Sequence, residues 1–502
     1  MKNRFILFLF CFLFVFSTFL FSLQIQPLVF FYTNDIHGTI QPIKYYDENK
    51  NIIYIGGAQA LNFYLSKEID ELKKKDIPYF IFDCGDFFQG TPEGILSNGK
   101  IMVDLMNYLK YDLLSIGNHE FDLGIDNLNE LINYAKFDFL CANLINKDKK
   151  INLKTKPKKT LIKKGIKINI IGIITNELFK VTGGELENYF ELKDIKETIE
   201  KNKDLKADLN IILGHIEPEQ LNNILNNVWG IDIAFCGHNH ISIDTPILVS
   251  NTRTIICESG SKLQNLGKLT VYFDKEKKRI IYYENKLIQL KYDTEIIKKD
   301  EKLEKVLEPY VKEINQKMEE IIGECDTDLI IDKSSEFSLL GQFLTDILRE
   351  ECKVDIAIYN RTGIRANLLK GEIKVRDIYS IEPFGNTVYI VSLTGKELNE
   401  MLKYAFSNSY TYLALSGIEF YFSPSSNELI KKILINGEEI KFDKIYKIAA
   451  PSFIALGGDG HFVFKECKEK YDTGNLIRDI YINYIKKKKL IKLETKKNIF
   501  IE

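Results

Sequence analysis

Six histidines occur in the chain, and five stand in short motifs with aspartate, asparagine and glycine: Asp35-Ile36-His37, Gly117-Asn118-His119, Gly214-His215 and Gly237-His238-Asn239-His240. Gly85-Asp86 adds a further carboxylate in the same kind of setting. Asp-x-His and His-x-His pairs project to one side of an extended backbone, so each pair can reach a single ion. Imidazole, carboxylate and amide groups without a thiolate cluster suit Zn, Mn or Mg, and ligands drawn from several segments suit two ions better than one. Two close cations clamp the oxygens of a phosphoryl group and make hydroxide available near neutral pH. Hydrolysis of a phosphate ester requires a barrier reduction on the order of 20 kcal/mol, more than a lone side chain supplies.

The elements that must position these groups are legible as apolar runs. Leu28 to Tyr32, Tyr79 to Phe82, Asp112 to Ile116, Leu209 to Leu213 and Ile231 to Cys236 each lead into one of the motifs. Buried strands with reactive side chains at their C-terminal ends, alternating with amphipathic stretches, predict an α/β fold whose site lies at the sheet's C-terminal edge. Apolar residues at spacings of three and four from Leu303 to Ile322 predict one long helix over about 299–322, placed to act as a spacer. A second α/β unit follows from about 331, with a helix near Leu340 to Glu350 and strands near Val354, Thr387 and Ile445.

A chain of 502 residues exceeds one ordinary core, so two folded units are expected. Lys and Arg total 68 against 70 Asp and Glu, without a long basic block, which excludes a grip on nucleic-acid polymers. Lys2 and Arg4 precede an apolar run from Phe5 to Phe21, the pattern of an export signal or of an uncleaved anchor, with Ser22 the best candidate for the residue before a cut. Membrane attachment is expected only through that leader. Beyond Cys11 the seven remaining cysteines have no regular spacing, and most of them are expected as buried thiols.

In order and context the motifs from Asp35 to His240 resemble those of calcineurin-like metallophosphoesterases, and Gly85 to Pro92 with Gly117 to Asp122 resemble the 5′-nucleotidase family. The resemblance implies a four-layer αββα domain over 26–290, a helical linker over 291–328 and a smaller α/β substrate domain over 329–502, after a leader at 1–23. It implies that Asp35, His37 and His240 hold one divalent ion, that Asp86 bridges, and that Asn118, His215 and His238 complete the second site. His119, oriented by Asp122, would assist the leaving group. Phe384 and Phe453 would sandwich a base, Asp459 would meet the ribose, and Asn360, Arg361 and Arg365 would lie near the phosphate, with Arg361 in place of a family glycine. Ser334 stands where the family carries an arginine. His461, in a place often held by an aromatic residue, is expected to pack.

The implied activity is hydrolysis of nucleotide phosphoesters by an exported, periplasmic or cell-surface enzyme with two ions such as Zn or Mn. Alternatives are 2′,3′-cyclic-nucleotide phosphodiesterase, UDP-sugar hydrolase or a related phosphoester or thiosulfate hydrolase. A non-catalytic surface binder on the same fold is the alternative from another class.

Overall fold

The computed structural model describes residues 25–46, 51–147, 151–182, 185–331, 337–407, 412–423, 429–467, 469–492 and 497–501. The leader and Ser334 lie outside the described residues.

Two six-stranded sheets face each other in the N-terminal half. The first runs, edge to edge, through Arg279–Gln289, Asn265–Asp274, Ile25–Thr33, Tyr79–Asp83, Leu113–Ser115 and Asp138–Leu140. The second runs through Ile247–Leu248, Ile255–Cys257, Ile233–Phe235, Leu209–His215, Ile166–Ile174 and Lys158–Lys163. Alternation along a strand sends successive side chains to opposite faces. Leu28, Phe30 and Tyr32 therefore share the core between the sheets with Ile168, Ile211 and Phe235, together with Phe80, Phe82 and Leu213. Val29, Phe31 and Ile81 face the other way, onto the helices Ala58–Lys74 and Lys100–Leu109. Ile212 and Ala234 face the helices Ile195–Asn202 and Pro218–Leu225. The layering is the expected αββα, and both faces of each central strand are apolar because both are covered.

The linking helix spans Glu301–Met318, shorter than its periodicity suggested, because Ile321 and Ile322 open the strand Ile321–Cys325 paired with Gly371–Lys374. Asp300 caps it, accepting from the backbone N–H of Lys302 (2.9 Å) and Leu303 (3.2 Å), while its other oxygen accepts from Asn62 and Tyr108 of the first half. Leu303 and Leu307 enter the first core, and Ile314 and Met318 enter the core of the second half. A five-stranded sheet organises that half, in the order Leu413–Ser416, Ile356–Asn360, Ile445–Pro451, Thr387–Thr394, Lys470–Leu476. The helix Leu339–Cys352 covers one face and Gly395–Phe406 the other. No helix among the described residues is long and apolar enough to cross a membrane.

Candidate active site

At the C-terminal ends of the facing sheets the backbone turns sharply. Asp35 (φ 49°), His37 (51°), Asp86 (56°), His238 (93°) and His240 (63°) all adopt the left-handed region, which is unfavourable for side chains other than glycine and is concentrated at functional sites. Cross-loop hydrogen bonds hold these turns, Asp35 N–H to the Gly85 carbonyl (2.9 Å) and His37 N–H to that of Asp86 (3.0 Å). Gly117 is needed where it stands, since a Cβ there would lie 2.3 Å from Asp86 Oδ1.

The turns gather two groups of ligand-type side chains, Asp35 with His37 and His240, and Asp86 with His215 and His238, the ligand atoms of each lying within 4.8 Å of one another. His240 Nε2 is 3.0 Å from His37 Nε2 and 3.3 Å from Asp35 Oδ1, and His215 Nε2 is 3.2 Å from Asp86 Oδ2. Asn118 Oδ1 joins the second group, 3.1 Å from His215 Nε2. His37 Nδ1 donates to the Gln89 carbonyl (2.7 Å) and His215 Nδ1 to that of Cys84 (2.8 Å), so both rings present Nε2 to the site. Asp35 Oδ1 is buried without a hydrogen-bond donor, an expensive arrangement that a cation would relieve. The donor set thus fits a dinuclear centre of divalent ions.

Burial opposes ionisation of Asp35, yet the facing imidazoles of His240 and His215 hold its carboxyl well below the usual range. Burial likewise opposes charge on His215, but Asp86 outweighs it and lifts the imidazole to about 10. At His119 burial is again outweighed, here by Asp122 and Asp86, and the pKa rises. His119 Nδ1 donates to Asp122 Oδ2 at 2.8 Å, and its backbone N–H donates to Asp86 Oδ1, also at 2.8 Å.

The second half closes over this edge. Arg365 Nη2 donates to His37 Nε2 at 3.2 Å, and the Phe384 ring lies 5.5 Å from that of His119. Lys262 of the first half donates to the Arg365 carbonyl (2.8 Å). A cavity of about 820 Å³ lies between the halves, and its lining includes Asp86, Asn118, His119, Asp122, His238 and His240 from one side. From the other side come Asn360, Arg365, Phe384, Phe453 and Asp459. Asp459 accepts from Thr362 Oγ1 (2.9 Å) and Asn360 Nδ2 (3.4 Å). Arg361 is the substrate candidate absent from that lining: its guanidinium lies 5.7 Å over the Tyr412 ring. His461 is buried between Tyr404 and Phe464, with ring centroids 5.2 and 6.3 Å away.

A calcineurin-like phosphoesterase family model matches residues 28–242, and a model of the 5′-nucleotidase C-terminal domain matches residues 321–466. The chain belongs to the 5′-nucleotidase family. It is a metallophosphoesterase hydrolase of the 5′-nucleotidase type. The chain is 26% identical over 518 residues to a 5′-nucleotidase-related protein of Glossina morsitans morsitans, covering 92% of each chain. It is 25% identical to a 5′-nucleotidase of Vibrio vulnificus, covering 86% of this chain and 85% of the other. In fold it is similar to a 5′-nucleotidase precursor from Thermus thermophilus, with a TM-score of 0.85, 23% identity, and coverage of 95% of this chain and 99% of that one.

Two buried carboxylates of this 5′-nucleotidase-type site escaped the reading of the sequence. Glu120 accepts from the backbone N–H groups of Asp86 (2.8 Å), Phe87 (3.0 Å) and Gly117 (2.6 Å), fastening the two loops that carry Asp86 and Asn118. Glu258 accepts from Ile241 N–H (3.0 Å) and, with the Asn239 amide turned nitrogen-inward, from that side chain at 2.8 and 2.9 Å, which anchors the His238–His240 loop. Glu120 adjoins His119 and was within reach of motif reasoning. Glu258 lies far along the chain and carried no local signal.

Proposed function

We propose that the chain hydrolyses nucleotide phosphomonoesters at a pair of divalent cations. Asp35, His37 and His240 hold one, Asn118, His215 and His238 hold the other, and Asp86 is shared. Zn and Mn both suit this donor set, and when bound such ions polarise phosphoryl oxygens and acidify water. The protein's own groups then have defined tasks. Arg365 meets the phosphate with Asn360 nearby, His119 held by Asp122 gives its proton to the departing alkoxide from Nε2, Phe384 and Phe453 stack on the base, and Asp459 accepts from the ribose hydroxyls. In this scheme 26–290 is the chemical domain, 291–328 the linker and 329–502 the substrate domain, and 1–23 directs export to the periplasm or cell surface.

The observation that carries the proposal is that two ligand triads lie together, with Asp86, His238 and His240 of them lining the cavity that Arg365 and Phe384 line from the other half. Release of inorganic phosphate from AMP and from 2′,3′-cyclic AMP, by purified protein supplied with Mn or Zn, tests it. Turnover of AMP is expected, and metal-loaded protein that turns over neither substrate contradicts it. One observation favours a second reading, a nucleotide carrying a further group on its phosphate, such as a UDP-sugar. The lining of the cavity also includes Ile125, Val181 and Tyr189, which none of the phosphate, base or ribose contacts above uses.

A further inference from the structure

The N-terminal ends of the parallel strands, opposite the metal-type residues, carry an unusual surface. Leu205 is 82% exposed and Trp229, the one tryptophan of the chain, is 63% exposed. They precede neighbouring parallel strands, Leu209–His215 and Ile233–Phe235, and the two loops touch, Lys203 Nζ donating to the Trp229 carbonyl at 3.0 Å. Ile162, 67% exposed, stands on the edge strand of the same sheet, with Ile166–Ile174 between it and Leu209–His215, and Ile25, 38% exposed, lies at the same end of the first sheet. That the ends coincide follows from contacts between loops: Lys278, in the turn opposite Ile25, pairs with Asp208 at 3.1 Å, and Lys275 of that turn donates to the Lys164 carbonyl at 3.3 Å.

The surroundings are basic. Asp76, Asp204 and Asp208 are matched by Lys164, Lys167 and Lys278. Asp70, Glu71 and Glu200 on the adjoining helix ends are likewise matched by Lys73, Lys74 and Lys203, and the described rim still carries exposed Lys75, Lys110, Lys206, Lys277 and Arg279 against Glu276. The apolar run from Phe5 to Phe21 feeds into the fold through Ile25, at this end. The 9-residue strand Ile25–Thr33 sets this end apart from the metal-type residues by roughly 30 Å.

We infer that this end of the molecule rests on an anionic lipid surface, Leu205 and Trp229 entering the headgroup region and the lysines facing the lipid charge. Tryptophan favours that boundary because its ring is apolar and its N–H stays wet, and lysines near an anionic leaflet add attraction that salt weakens. The orientation turns the cavity between the halves away from the bilayer, open to soluble substrate.

The lone tryptophan makes the test direct. Full-length protein is reconstituted into vesicles of phosphatidylglycerol and, separately, of phosphatidylcholine, each with lipids spin-labelled near the headgroup. The expected result is a blue shift and strong quenching of Trp229 in phosphatidylglycerol, weakened by salt. Leu205→Ser, with phosphate release by the detergent-solubilised variant unchanged, is expected to cut the lipid-accessible fraction roughly tenfold. Emission that stays at its solution wavelength and open to iodide in phosphatidylglycerol vesicles overturns the inference. So does equal quenching in both lipids, which removes the role of charge, or a shift that follows protein concentration without lipid, which indicates self-association.

Discussion

His119 and Asp122 are joined by a 2.8 Å hydrogen bond from Nδ1 to Oδ2, which leaves Nε2 of the ring 3.9 Å from Asp86 Oδ2, at the cavity. The carboxylate fixes both the tautomer and the direction of the ring. Replacing His119 by Ala is expected to lower kcat roughly 10²- to 10⁴-fold, and Asp122→Asn by a smaller factor, with metal content unchanged in both. Steady-state kinetics together with elemental analysis checks this. Loss of metal in parallel with activity would make His119 a ligand instead.

Phe384 touches His119, whereas Phe453 packs on Gly458, where a Cβ would lie 2.5 Å from its ring. If both rings stack on a base, Phe384→Ala and Phe453→Ala should each raise KM for AMP roughly 5- to 100-fold, with a lesser effect on kcat. Unchanged KM in both variants would remove the aromatic clamp.

Arg376 ties three segments together. It donates to Glu93 of the first half (3.2 Å), and to Glu319 (2.5 Å) and Asn315 (2.7 Å) at the end of the linking helix. Glu93 is 2% exposed, so removing its partner strands a buried carboxylate. Arg376→Ala is expected to cost about 3 kcal/mol in chemical denaturation, and adding Glu93→Gln should restore much of that. Additive effects in the double variant would show that the pair is not coupled.

Asp232 lies at the end remote from the metal-type residues, where burial lifts its carboxyl from 3.8 to about 6 despite the Asn210 N–H bond. The folded chain then holds this proton more tightly than the unfolded chain. The contribution is complete below about pH 4 and is lost as pH rises through about 6, a change of up to about 3 kcal/mol. Asp232→Asn should therefore raise Tm at pH 7 and leave it nearly unchanged at pH 4. The opposite pattern would mean that the carboxylate is stabilised in its charged form.

The positions of the reactive side chains were legible because each follows an apolar run that can only be a buried strand, and strand ends in an α/β sheet converge. Asp35, Asp86, Asn118, His215 and His238 come together for that reason. Three kinds of feature were not legible. The left-handed backbone at Asp35 and His37 depends on bonds to Gly85 and Asp86, distant in sequence. Glu258 acts on the loop holding His240 through backbone and amide donors that no motif records. The end of the linking helix at Met318 is decided by pairing of Ile321–Cys325 with Gly371–Lys374, a contact that helical periodicity cannot anticipate.

Metal stoichiometry bears most directly on the paired-cation centre. Protein loaded with Mn, freed of excess ion and measured by elemental analysis, should carry two ions per chain, and Asp86→Asn should weaken both. One ion or none in folded wild-type protein, or full retention of both by Asp86→Asn, would contradict a centre in which Asp86 is shared.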